Sequence, residues 1–189
     1  MKLFKSSDIE SKIIKGCQNR KIKAQKALYE KYAGKMLAVC RRYTGNIPDA
    51  EDLLQEGFIV VFDKIGQYRN EGSFEGWLRR IFVNHSLQFL RKKTHMYSLS
   101  NMNLPEDEDS LQNRFESEKG LSLKEILDYI DQLPEGYKLI FNMYVLDGYT
   151  HQEIANSLNI SIGTSKSQLA RAKKKLRILL QNEVQTSIL

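Results

Sequence analysis

Residues 148–177 read GYTHQEIANSLNISIGTSKSQLARAKKKLR, and this stretch decides the fold. Thr150 followed three residues later by Glu153 is a capping box, which opens a short helix over His151 to Leu158. Ile154, Ala155 and Leu158 fall on its inward side. Asn159 tolerates the left-handed conformation that ends a helix, and Ile160 plugs the turn. Ser161 or Gly163 then starts a second helix through Leu169, Ala172 and Leu176. A short helix, a tight turn and a longer basic helix form the layout of a DNA-binding helix-turn-helix.

From Gly163 to Arg177 the second helix carries Lys166, Arg171, Lys173, Lys174, Lys175 and Arg177 and no acid. Its first turns are expected to expose Thr164, Ser165, Lys166 and Gln168, side chains that hydrogen-bond base edges or phosphates. The N-terminal part of such a helix enters the major groove. Lys166, Gln168 and Arg171 are therefore assigned to groove contacts, and Lys173, Lys174 and Lys175 to phosphates, a salt-sensitive term. The plainer reading is a basic solvated helix with no ligand.

Outward from this motif the chain is helical almost throughout. Ser122 with Glu125 caps a helix that turns Leu123, Ile126, Leu127, Ile130 and Leu133 inward, and Pro134 starts another that ends near Asp147-Gly148. Upstream, Ser7 with Glu10 suggests a capping box for a first helix. A longer one spans about 21–43, with Leu28, Tyr32, Val39 and Tyr43 at helical spacing. Thr44-Gly45-Asn46 ends it, and Pro48 suits the first turn of the next, over about 48–65, with Leu54, Phe58, Val61, Phe62 and Ile65 on one stripe. Ser73 caps a fourth helix that reaches about Lys93 and buries Phe74, Trp77, Leu78, Ile81, Phe82 and His85. No stretch alternates with period two between hairpin turns, so no sheet is expected. The expected fold is all-α, in two small helical domains, residues 1–94 and 122–189, joined by a flexible tether, residues 95–121.

Charge follows this division. The 189 residues carry 29 Lys+Arg and 23 Asp+Glu, net +6. Residues 101–119 hold Glu106, Asp107, Glu108, Asp109, Glu116 and Glu118 against Arg114 and Lys119, so this segment is net −4 and the remainder +10. A basic surface beside a separate acidic segment points to a polyanion partner. On the helix over 48–65, Asp49, Asp52 and Glu56 share one side with Gln55 next to them. That face is either solvated or a docking surface for a basic partner. From Gly76 to Pro105 there is no acid, while Arg79, Arg80, Arg91, Lys92 and Lys93 are present. Arg80, Asn84, Leu87 and Arg91 share a face, and Tyr68-Arg69-Asn70-Glu71-Gly72 precedes it. Cations beside polar and aromatic groups suit single-stranded DNA. Trp77 and Phe82 fit core positions better than stacking platforms.

Other classes find little support. No apolar run approaches the roughly 20 residues needed to cross a bilayer. Met1 to Cys17 lacks an apolar signal core. Cys17 and Cys40 stand far apart with no CxxC, which fits a reducing cytoplasm. His151-x-Glu153 is half of a zinc deaminase signature without its Cys-x-x-Cys. No triad, phosphate loop or metal set stands out, so neither an enzyme nor a cofactor is expected.

Three blocks occur in order: DAEDLLQEGF at 49–58, SFEGWLRRIFVN at 73–84, and GYTHQEIA at 148–155 leading to ISIGTSKS at 160–167. Together they resemble bacterial RNA polymerase sigma factors of the small extracytoplasmic-function (ECF) group, over about residues 8–180. The resemblance implies a helical region 2 and a helical region 4. Asp52, Gln55 and Glu56, with Asp49 in the same block, would meet the clamp helices of core RNA polymerase. Region 2 would capture the melted minus-ten element through Arg69, Asn70, Ser73, Arg80, Asn84 and Arg91. Region 4 would read the minus-thirty-five element as duplex through Thr164, Ser165, Lys166, Gln168, Arg171, Lys174 and Lys175. The polymerase flap, and an anti-sigma factor as inhibitor, are further partners implied. Two positions depart from the family pattern: Ser165 replaces an apolar residue and Gln168 a basic one. The competing reading is a helix-turn-helix regulator not tied to polymerase, which would need neither the acidic face nor the second basic helix.

Overall fold

A computed structural model describes residues 6–93 and 123–186. They form eight α-helices in two compact units, the division falling at His95–Met96. The expected tether and Ser122 lie outside the described residues, as do the side chains of Ser7 and Leu123. Among the described residues there is no strand, and no helix is long and apolar enough to cross a membrane.

The N-terminal unit contains α1 (Ser6–Gln18), α2 (Ile22–Thr44), α3 (Ile47–Lys64), a 3-10 turn (Ile65–Gln67) and α4 (Phe74–Lys93). Helix α2 ends at Gly45, whose φ of 74° is the left-handed geometry that a side chain resists. The Asn46 side chain then accepts from Asp49 N at 2.8 Å and caps α3, with Pro48 in its first turn. Ser73 Oγ accepts from Gly76 N at 3.0 Å and starts α4. The core gathers Leu28, Met36, Leu53, Val61, Leu78 and Phe82, all essentially inaccessible. Burial of each contributes about 1.5–3 kcal/mol.

Several expectations change here. The capping box expected of Ser7 and Glu10 rests on a side chain outside the described residues, but the placement of Glu10 is described. It crosses to α2, where it accepts from Lys31 Nζ at 2.6 Å and from the Tyr32 hydroxyl. The Lys31 hydrogen bond, and then that of Tyr32, hold its carboxyl below the usual range. Trp77, Ile81 and His85 are only half-buried, while Val83, Ser86 and Leu87 complete the inner stripe of α4.

Helices α3 and α4 approach each other at Gly57. A Cβ built there would overlap the edge of the Phe82 ring. Gly57→Val is therefore expected to overpack this contact and to cost about 2–3 kcal/mol. The only tryptophan of the chain, Trp77, lies in this unit, so its fluorescence during urea unfolding reports the loss. An unchanged midpoint would show that Phe82 swings aside freely.

The C-terminal unit contains α5 (Leu123–Asp131), α6 (Glu135–Phe141), a π-helical turn (Asn142–Leu146), α7 (His151–Leu158) and α8 (Ile162–Thr186). Ile130, Leu133, Ile140, Met143, Ile154 and Leu176 build its core. Ile126, expected inward, is 41% exposed. It lies in the first turn of α5, and a helix end has neighbouring turns on one side only.

Candidate nucleic-acid and partner interfaces

The outer side of α3 carries the acids. At 100° per residue, Asp52, Glu56, Ile59 and Asp63 align within one stripe, with Gln55 at its edge. Asp52, Gln55 and Glu56 are exposed. Glu56 Oε2 lies 3.0 Å from His85 Nε2 of α4, which steadies the carboxylate while leaving it open. Asp49 behaves differently. It takes Lys93 Nζ and Asn46 Nδ2, each at 2.8 Å, and so joins the start of α3 to the end of α4. The Lys93 hydrogen bond, then that of Asn46, hold its carboxyl below the usual range. Of the four expected residues, Asp49 is held by two side chains within the fold and Glu56 by one.

Sequence reading missed Ile59. It is 63% exposed in the middle of this stripe, seven residues after Asp52 and three after Glu56. An apolar side chain ringed by carboxylates is the composition of a docking patch with a central anchor. The signal was its register with the acids.

Between the 3-10 turn and α4 the chain forms a short, well-braced loop. The Tyr68 hydroxyl donates to Gly72 O at 2.9 Å, closing residues 69–71 into a protruding turn. Asn70 and Gly72 sit at φ 59° and 91°, the left-handed region. Beneath it the rings of Tyr68, Phe74 and Trp77 pack with centroids 5.1–5.5 Å apart. Arg69, Asn70 and Ser73 are exposed on this loop, and Arg80, Asn84 and Arg91 are exposed along α4. Leu87, expected on the same face, is buried because it follows Val83 by one helical turn into the core. Trp77, packed against Tyr68 and Phe74, is half-buried.

The helix-turn-helix is built as its residues require. Thr150 Oγ1 accepts from Glu153 N at 3.2 Å and Glu153 Oε2 accepts from Thr150 N at 2.9 Å. Asn159 stands at φ 54°. Ser161 Oγ accepts from Thr164 N at 2.9 Å and so caps α8.

Two of the expected base-reading residues are not on the outer face. Ser165 is 0% and Gln168 8% exposed. They precede Ala172 by seven and four residues, so the helix turns them toward α7 together with Leu169 and Leu176. The opposite face presents Ser167, Ala170 and Lys174, with Lys166 on one flank and Thr164, Arg171 and Lys175 on the other. Ser167 and Ala170, not singled out from sequence, occupy the centre of that face. The register of Leu169, Ala172 and Leu176 already implied this.

Buried Ser165 shares a hydrogen bond with His151 Nδ1 at 2.9 Å. The His151 ring stacks on Tyr144 with centroids 4.4 Å apart. Burial first, and then the charges of Lys166 and Lys173, push the His151 pKa below the ordinary histidine value. Since the folded pKa lies below the unfolded one, folding is favoured by the neutral ring. That contribution is present above the ordinary histidine range and lost as pH falls through the folded pKa. Thermal melts of the chain from pH 7.5 to 5 should therefore fall more steeply for the wild type than for His151→Gln. Parallel curves would remove His151 as the cause.

Comparison with known proteins follows the same two-part division. Residues 28–96 match the family Sigma-70 region 2, and residues 123–176 match Sigma-70, region 4. The ECF RNA polymerase sigma factor SigE of Mycolicibacterium smegmatis is 32% identical over 158 residues, covering 79% of this chain and 59% of that protein. This chain thus spans about three fifths of that relative's length. SigW of Bacillus subtilis is 28% identical over 80% of this chain and 86% of its own. The ECF sigma-E factor of Escherichia coli is 29% identical over 88% and 89%. Among solved structures, the sigma factor RpoE of Bartonella quintana, in complex with the anti-sigma factor NepR, superposes with a TM-score of 0.53 at 19% identity. That match covers 85% of this chain and 98% of RpoE. CnrH, in complex with the cytosolic domain of CnrY, gives 0.50 at 16% identity, covering 90% and 96%. These last two are likenesses of fold.

A region 2 unit followed by a region 4 helix-turn-helix defines a sigma-70-type RNA polymerase sigma factor, a promoter-recognition protein that works with polymerase. Within that class, the chain belongs to the ECF group.

Proposed function

We propose that the outer face of α3, with Asp52, Gln55, Glu56 and Ile59, docks on the clamp of core RNA polymerase. Loop 69–73 and α4 then take the melted minus-ten element through Arg69, Asn70, Ser73, Arg80, Asn84 and Arg91. The outer face of α8 reads the minus-thirty-five element as duplex through Lys166, Ser167 and Arg171, with Lys174 and Lys175 on phosphates. The C-terminal unit also meets the polymerase flap. Residues 1–94 and 122–189 act as the two modules, joined by the acidic segment 95–121. An anti-sigma factor covers these surfaces when transcription is not required, all within the cytoplasm. The protein supplies binding and orientation; the bond-forming chemistry is the polymerase's.

The observation that carries this reading is the opposite character of two neighbouring helices. Helix α3 exposes carboxylates around an isoleucine, while α4 exposes Arg80, Asn84 and Arg91. A duplex-binding regulator uses neither surface. The test is gel filtration of the protein with core RNA polymerase of its source organism at low salt, followed by transcription from genomic fragments. Co-elution is expected, and the mapped RNA 5′ ends should share two sequence elements at fixed spacing. Failure to co-elute would overturn the reading.

A further inference from the structure

A third basic concentration remains outside these roles. Between Ser11 and Tyr29 the chain carries Lys12, Lys15, Arg20, Lys21, Lys23 and Lys26, and no aspartate or glutamate. All are exposed. Lys26 leans toward Glu30 at 3.8 Å. The others surround the corner where α1 turns into α2.

That corner is held by backbone. A Cβ on Gly16 would lie 2.5 Å from Ala24 Cβ, so only glycine lets the two helices meet there. Lys21 N donates to Gly16 O at 3.0 Å, and Arg20, at φ 54°, donates from its N to Cys17 O at 2.9 Å. Lys12 and Lys15 from α1, with Lys21 and Lys23 from the start of α2, line an open concavity of about 370 Å³. Asn19 adds a polar group to its wall. The corner also adjoins the minus-ten loop. Gln18 Nε2 donates to the carbonyl oxygens of Ile65 at 3.2 Å and Tyr68 at 3.5 Å, and Tyr68 immediately precedes Arg69.

We propose that the α1–α2 corner is a phosphate-binding surface for promoter DNA, which extends the path of the strand held by loop 69–73. The proposal rests on the promoter reading above. Flexible lysines act as point charges and suit a phosphate backbone rather than a shaped ligand. The concavity is lined by lysines, Asn19, Gly16 and Ala24, a cationic and polar wall that suits a phosphate, and the exposed Ile22 is not part of that lining. The corner would therefore add affinity without reading sequence.

The test uses holoenzyme reconstituted from core polymerase and the full chain carrying Lys15→Ala, Lys21→Ala and Lys23→Ala. The probe is a fork of a mapped promoter with a single-stranded minus-ten overhang. Each lost single-strand phosphate contact lowers the slope of log affinity against log salt by about 0.7, so a drop of roughly 2 is expected. The drop should be the same whatever sequence flanks the minus-ten element, and the Lys→Arg triple variant should keep the wild-type slope. A wild-type slope in the alanine variant, with core binding intact, would overturn the inference and leave the promoter reading standing. So would an unchanged slope accompanied by lost binding to polyglutamate or to phosphatidylglycerol vesicles. If wild-type holoenzyme does not hold the fork, the promoter reading falls, and this inference with it.

Discussion

Asp52→Lys combined with Glu56→Lys is expected to lower affinity for core RNA polymerase by at least about a hundredfold, because like charges brought together across an interface cost several kcal/mol. The fold should hardly notice. Among the described residues the contact broken is that of Glu56 with His85, and the Glu56 side chain is 64% exposed. Pairs of that kind are worth about 0–1 kcal/mol. Trp77 fluorescence should thus report nearly unchanged unfolding while co-elution with polymerase is lost. Ile59→Ser should weaken the same binding, since it removes the apolar centre and leaves the ring of charge. A double-lysine variant that binds core within threefold of wild type would place the docking surface elsewhere.

Lys166→Ala with Arg171→Ala is expected to give the complementary result. Each groove contact is worth about 1–3 kcal/mol of discrimination, so the pair should cost holoenzyme roughly 2–4 kcal/mol on its promoter. Binding to core should be retained. The loss should disappear when the minus-thirty-five element of the probe is replaced, because wild type then has nothing to read there. Ser165→Ala should behave differently, weakening the α7–α8 packing rather than promoter choice, since Ser165 is buried against His151. An equal loss for the double variant on both probes would mean that these side chains meet phosphates only. A loss of core binding in parallel would contradict the division of labour between the two units.

Much of this architecture was legible from residue order because its signals are local. The Thr150–Glu153 box, Asn159, Gly45 and Ser73 act within one turn of backbone, so each specifies a helix end without reference to the rest of the chain. The apolar stripes of α2 and α3 needed only a period. What escaped depended on which side of a helix a polar residue takes. Ser165 and Gln168 were read outward because they are polar, yet the rotation set by Leu169 and Ala172 turns both inward. The converse error hid Ile59, an apolar residue held outward by its register with Asp52 and Glu56. The pairings of Glu10 and Asp49 escaped for a third reason. Their partners, Lys31 and Lys93, lie 21 and 44 residues away in the chain, and only the packed helices bring them within reach. The α1–α2 corner escaped because its cations are split between two helices and only the turn at Gly16 gathers them.

The central claim is that polymerase and this protein together select a start site that neither selects alone. Run-off transcription at one mapped promoter, with core RNA polymerase in the presence and absence of the protein, measures this directly. The account predicts a transcript of a single length only when both are present. No transcript from the combined proteins, or tight promoter binding by the protein alone that core polymerase does not strengthen, would contradict it.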